Sequence, residues 1–284
     1  MSAHGDTRTI TLMTFNVLRD GQHEGGDRRA RIAEVVRWHS PDILCMQEGG
    51  DDPFWQEMAD ELGFRHSKNI PGEFRPALFS RLPVLEVATH SEARFVYFQV
   101  DLGGARRMGV YSVHLVHWPQ MDAERVKALR KLLALMAVQE DPLVCVAGDF
   151  NSRTRGEPGI DWGVEAIARH NHTTIGPERW NAATDLMASE GLVDCYRRLN
   201  SDPGYSFHRP SEELSQAMPE QGRHARAETP EDLAGVPPVV RLDYIFANPL
   251  LTRYLVSCAP DSSRLAMEAS DHLPVIAEFV IPDH

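Results

Sequence analysis

Apolar positions along the chain follow two rhythms. Short apolar or alternating runs bounded by Gly, Pro or charged residues read as strands at 9–17, Ile43–Gln47, 76–80, 94–102, 107–116, 143–147, 239–247, 253–257 and 275–281. Apolar residues spaced three and four apart mark helices instead. One covers 28–39, with Ile32, Val35, Val36 and His39 on one face, Asp27 as its expected cap and Ser40-Pro41 as its stop. Another covers 53–62 and ends at Gly63, and a third covers 123–138 with Val126, Leu129, Leu132, Leu133 and Met136 as its stripe. A fourth is expected at 182–190. Gly103-Gly104 joins two of the strands as a hairpin.

Strands alternate with helices at first and then give way to hairpins. That order predicts an α/β fold of two packed mixed sheets flanked by helices, a four-layer sandwich. No repeat and no dividing linker interrupts 1–284, so one domain is expected. The stretch 152–238 is the exception: it reads as a long excursion, polar and proline-bearing after Arg209.

The polar residues that interrupt this pattern fall at strand ends. Asn16, Glu48, His114, the pair Asp149 and Asn151, and Asp243 each close or open an apolar run, and Ser270-Asp-His-Leu-Pro274 precedes the last one. Polar groups gathered at strand ends are how α/β folds build sites. For Asp149 and Asn151 a purely local explanation also exists, because Asp-x-Asn favours an Asx turn.

Taken in order, Thr14-Phe-Asn16, Met46-Gln-Glu48, Ser112-Val-His114, Gly148-Asp-Phe-Asn151, Arg241-Leu-Asp243 and Ser270-Asp-His272 resemble the endonuclease/exonuclease/phosphatase superfamily of metal-dependent phosphoesterases, from residue 11 to 275. The resemblance implies a hydrolase of phosphate esters. Glu48 would ligate Mg²⁺, with Mn²⁺ as a substitute, Asn16 would support that metal, and Asp271 would reach it through water or hold a second ion. Asp149 would orient and deprotonate the attacking water, Asn151 would donate to a phosphate oxygen, and Asp243 would pair with His272. His114 would contact phosphate, with Glu73 as the candidate carboxylate beside it. Arg81, His117 and Trp118 are the expected substrate-binding residues, and Trp180, Phe207 and His208 belong to the excursion between two site motifs.

Composition narrows the partner. Among 284 residues, 42% hydrophobic and 25% charged content is that of a globular protein, and no apolar run approaches the ~20 residues a membrane helix needs. The start lacks an apolar signal core, and the four cysteines have no Cys-x-x-Cys spacing, which together suggest a cytoplasmic protein. A net charge of −12 speaks against duplex DNA, since such binding draws on Lys and Arg at phosphates. A small or single-ester phosphate is therefore the expected substrate. A nuclease or DNA-end phosphodiesterase is the alternative, requiring a basic, aromatic-bearing groove beside the site. A non-catalytic binding member of the same fold is the third reading, and it would call for the loss of site residues.

Overall fold

The computed structural model describes residues 7–23, 26–49, 53–72, 74–117, 121–154, 180–202, 204–207 and 240–282. One sheet contains β1 (Thr7–Asn16), β4 (Ile43–Gln47), β5 (His66–Asn69), β6 (Pro76–Ser80), β13 (Leu255–Pro260) and β14 (Val275–Pro282), in the order β13-β14-β1-β4-β6-β5. The other contains β7 (Val84–His90), β8 (Phe95–Gly103), β9 (Arg106–His114), β10 (Leu143–Asp149), β11 (Val193–Asp194) and β12 (Asp243–Ala247), in the order β11-β12-β10-β9-β8-β7. A minor ribbon pairs β2 (Gln22–His23) with β3 (Gly26–Asp27). Both large sheets are mixed. The pair β1–β4 and the pair β9–β10 are parallel at the heart of each, with antiparallel strands outside.

Alternation along the strands sorts side chains into three cores. Ile10 and Leu12, Ile43 and Cys45, and Cys145 and Ala147 point between the sheets, where they meet Val96, Phe98, Val110 and Ile245. Their neighbours face outward. Met13, Phe15, Leu44 and Met46 pack beneath α1 (Arg29–His39), α2 (Pro53–Glu61) and α7 (Arg264–Ala269). Val144, Val146, Tyr111, Tyr244 and Phe246 pack beneath α3 (Asp122–Gln139) and α4 (Ala182–Ser189). Strands buried on both faces explain the near-continuous apolar runs. The expected helix–sheet–sheet–helix sandwich is the architecture found. Two short helices, α5 (Cys195–Leu199) and α6 (Pro249–Thr252), flank β12.

The differences have local causes. Asp27 does not cap α1: Arg28 stands at the N-cap position, and the Asp27 carboxylate instead takes the Arg29 N–H and guanidinium. Strand β5 has almost no apolar residue and gains its place as an edge partner of β6. Strand β7 is an edge strand with a register shift between Val84 and Glu86, so Leu85 and Val87 face solvent and blur its period. The run at 239–247 becomes a strand only from Asp243, because Val240 bridges Phe207 first. Most of the 152–238 excursion, including His208, lies outside the described residues; within it, α4 occupies the expected 182–190 segment.

Candidate active site

Strand register brings the site together. Asn16 ends β1 beside Gln47, the residue before Glu48. Asp149 ends β10 between His114 of β9 on one side and Asp243 of β12 on the other. The same ends of the two sheets face each other, and the Asn16 amide crosses the seam to Asp149 at 3.1 Å. Gly148 makes this approach workable: its φ is +151° and a Cβ there would run into the Val113 carbonyl of β9.

The Asp149 carboxylate is the centre. Its Oδ1 accepts the Asn151 backbone N–H at 2.7 Å, and its Oδ2 accepts Nδ2 of Asn16 at 3.1 Å and of Asn151 at 3.0 Å. Asn151 has φ 45°, so the Asp-x-Asn segment is an Asx turn as well as part of the site. Both N–H groups of each amide are committed: Asn16 also donates to Glu48 at 3.1 Å, and Asn151 to the Leu115 carbonyl at 3.1 Å. In this arrangement Asn151 orients Asp149 and holds no free N–H for phosphate. The Asn16 Oδ1 accepts the Leu18 N–H at 3.0 Å, and its Nδ2 joins the Glu48 and Asp149 carboxylates. Burial pushes the Asp149 carboxyl up to about 7, and the Asp243 charge adds to this; His272 and the hydrogen bonds from Asn151 and Asn16 oppose it.

Glu48 reaches the site from a left-handed backbone, φ 61°, its Oε2 accepting the Arg19 N–H at 3.0 Å. Burial raises its pKa, and the Asp271 carboxylate nearby raises it further. The Ser270 hydroxyl donates to the Asn16 carbonyl at 2.8 Å, which anchors the Asp271-His272 segment to β1.

Two histidines complete the set. The Nδ1 of His272 lies 2.7 Å from Asp243 Oδ2 and its Nε2 lies 4.0 Å from Asp149. Burial disfavours the imidazolium, but the Asp243, Asp271 and Asp149 charges outweigh it and raise the His272 pKa well above its ordinary value. The Ser206 hydroxyl accepts the Leu242 and Asp243 N–H groups at 3.0 Å each, and Phe207 packs edge-on against the His272 ring. His114 places Nε2 3.6 Å from Asp149 and 3.9 Å from Glu48. Burial, then the Arg94 charge, holds its pKa well below the ordinary value.

Other expected residues fall differently. Arg81 is not brought to the site. It follows Ser80, which pairs with Ile43 at the start of β4, so it lies at the opposite end of the sheet; there it donates to the Ser40 hydroxyl at 2.6 Å and lies over Phe64. Strand β6 runs antiparallel to β4, so its C-terminal end points away from Glu48. His117 lies at the rim with its ring 6.0 Å from that of Phe74, whereas Trp118 and Glu73 lie outside the described residues. Trp180 is buried, its Nε1 donating to the Asn151 carbonyl at 2.7 Å. Sequence reasoning missed the parts played by Arg94, Ser206 and the Arg19 backbone. Of these only Ser206 had a signal, as the neighbour of Phe207.

Buried carboxylates and histidines meeting at the mouth of a two-sheet sandwich are the equipment of a phosphoesterase. The sequence profile of the Endonuclease/Exonuclease/phosphatase family matches residues 13–272. The chain belongs to that family and is a hydrolytic phosphoesterase of its metal-dependent class. No curated protein matches the sequence significantly. Among solved structures it is similar to an AP endonuclease from Archaeoglobus fulgidus, at 21% identity over 95% of this chain and 99% of that one, TM-score 0.61. It is similar to the 3′ phosphatase NExo from Neisseria bound to a product DNA hairpin, at 18% identity over 95% and 99%, TM-score 0.62. An endonuclease/exonuclease/phosphatase from Beutenbergia cavernae matches at 20% identity over 97% and 72%, TM-score 0.64. At these identities the likeness is one of fold.

Enzymes of this family generally need a divalent metal, and the donors present suit one. Glu48 and Asp271 carry hard carboxylate oxygens close enough for their charges to oppose each other, a cost that a bound cation would remove. Asp149, Asp243 and His272 also bring ligand atoms within 4.8 Å of one another. Ligation there would require His272 to give up the proton that its contact with Asp243 favours, so the Glu48 side is the better fit. Among the described residues no helix is long and apolar enough to cross a membrane.

Proposed function

We propose that the chain is a Mg²⁺-dependent phosphoesterase acting on a small or single-ester phosphate. The observation that carries this is the convergence on one oxygen, Asp149 Oδ2, of Asn16 at 3.1 Å, Asn151 at 3.0 Å, His114 at 3.6 Å and His272 at 4.0 Å. The two amides hold the carboxylate still. A carboxyl pushed up to about 7 is a competent base near neutral pH. Asp149 takes a proton from water as the water oxygen closes on phosphorus, and the opposite P–O bond breaks with its electron pair leaving on the departing oxygen. His272, held protonated by Asp243, faces the phosphoryl oxygens as a cation, and His114 offers a neutral N–H from the other side. Glu48 and Asp271 would hold Mg²⁺, which neutralises phosphate charge and stabilises the leaving oxygen when bound.

The nuclease or DNA-end phosphodiesterase reading has one observation in its favour. Arg19 lies 6.0 Å from the Phe74 ring, and His117 lies on that ring too, so the rim beside Glu48 is basic and aromatic. The net charge of −12 weighs against extended duplex. A screen of phosphomonoesters, phosphodiesters, oligonucleotides and plasmid at matched Mg²⁺ and low salt decides. Hydrolysis of a small ester, lost in EDTA and in Asp149→Ala with little plasmid cleavage, is expected. Plasmid nicking that disappears in Asp149→Ala would promote the second reading, and inactivity on every ester with Mg²⁺ and Mn²⁺ would refute both.

A further inference from the structure

Arg94 is no part of the set that surrounds Asp149, yet it grips the backbone of His114. Its carbonyl accepts the His114 N–H at 3.2 Å, and its Nε donates to the His114 carbonyl at 2.6 Å. Both backbone groups of one residue are thus held by one partner. The Nη2 of Arg94 donates to the Phe74 carbonyl in the loop before β6, which belongs to the other sheet. The next carbonyl in that loop, Arg75, accepts the Glu48 N–H at 3.1 Å. A path through Arg94, Phe74 and Arg75 therefore ties His114 to Glu48, with the Arg94 guanidinium as its side-chain link.

The backbone is strained where this chain forms. Arg94 and Phe74 have φ 56° and 55°, and Glu48 has 61°, a left-handed region that non-glycine residues seldom enter. The other positive-φ side-chain residues either border the same site, as Leu18, Arg19, Asp20 and Asn151 do, or sit at helix ends and the hairpin turn, as Ser40, Glu140 and Ala105 do. Helix ends and turns accept this geometry for local reasons. Arg94 itself closes the turn between β7 and β8, and its guanidinium ties that turn to the Phe74 carbonyl.

We propose that Arg94 is a positioning residue for the hydrolysis, setting the His114 ring against Asp149 and Glu48 by clasping the His114 peptide and the Phe74 carbonyl together. The planar guanidinium reaches both carbonyls at once, and a lysine ammonium on its flexible stem does not reproduce that fork. The proposal rests on the phosphoesterase reading, so its test carries a readout that does not.

Steady-state kinetics on bis(p-nitrophenyl) phosphate with Mg²⁺ are measured for wild type, Arg94→Met, Arg94→Lys, His114→Ala and Arg94→Met with His114→Ala. Misplacement by a fraction of an ångström predicts a fall in kcat of roughly tenfold to a hundredfold in Arg94→Met, with KM moving far less. Arg94→Lys should stay low. In the His114→Ala background, Arg94→Met should cost less than about threefold more, because the group it positions is already gone. Histidine ring NMR, with the His114 signal assigned by its loss in His114→Ala, should show that signal shifted in Arg94→Met. Losses that multiply, full recovery in Arg94→Lys, or an unmoved His114 signal would each overturn the proposal. Should Arg94→Met fail to fold, Arg94→Gln carries the same comparison. Should the wild type hydrolyse no ester, the catalytic reading fails, while the ring signal still decides the clasp.

Discussion

Two histidines stand on either side of Asp149, both buried and oppositely poised. His272 has a carboxylate behind it at 2.7 Å and holds its proton against burial. His114 has Arg94 behind it, and there burial and the arginine charge act together to remove the proton. Burial alone would have made both neutral. The charge placed at the back of each ring separates them, and it gives one carboxylate a cationic neighbour and a neutral donor at once. Groups of one chemical type pushed apart in pKa by their surroundings are how sites divide labour.

The comparison breaks most severely at the His272 side. Asp243→Asn and His272→Ala should each lower kcat by about 10²- to 10⁴-fold, the range of a lost acid–base or charge-stabilising group. Because Asp243 acts through the ring, the double variant should lose little beyond the worse single one, as single-turnover rates can check. Strictly multiplied losses would mean the carboxylate and the ring act separately. Glu48→Gln should do less. Removing a charged ligand should raise the Mg²⁺ needed for half-maximal rate by about 10- to 100-fold while far-ultraviolet circular dichroism stays unchanged. An unaltered Mg²⁺ titration would remove Glu48 from the ligand set. Arg81→Ala sharpens the contrast from outside: turnover and KM should stay within about twofold, since only the Ser40 and Phe64 contacts at the far end of the sheet are lost. A large KM increase would place that end of β6 back in the substrate path.

Arg81 and Arg94 also show where sequence reasoning stops. Ile43–Gln47 and Pro76–Ser80 are legible to the residue, because strands buried on both faces leave uninterrupted apolar runs with polar residues at their borders. Asn16, Glu48, His114, Asp149, Asp243 and His272 are legible as borders of the same kind, and the sheets bring all six together. Which end of a strand faces the site depends on its direction in the sheet, and no local spacing records that. Arg81 follows a strand that runs away from Glu48, while Arg94 precedes one that starts beside His114. The commitment of both Asn151 amide hydrogens was equally hidden, since it depends on Leu115, the residue that follows β9.

The four cysteines give the inter-sheet core a second meaning. Cys45, Cys145, Cys195 and Cys258 are all free, all buried and all part of the layer between the sheets. Burial drives each thiol upward, Cys45 to about 12, so the reactive thiolate is scarce even before access is considered. A thiol reagent in solution therefore meets no target while the sandwich is closed. The rate at which alkylating agents consume these sulfurs is a clock for the parting of the two sheets, the same event that would pull Asn16 away from Asp149.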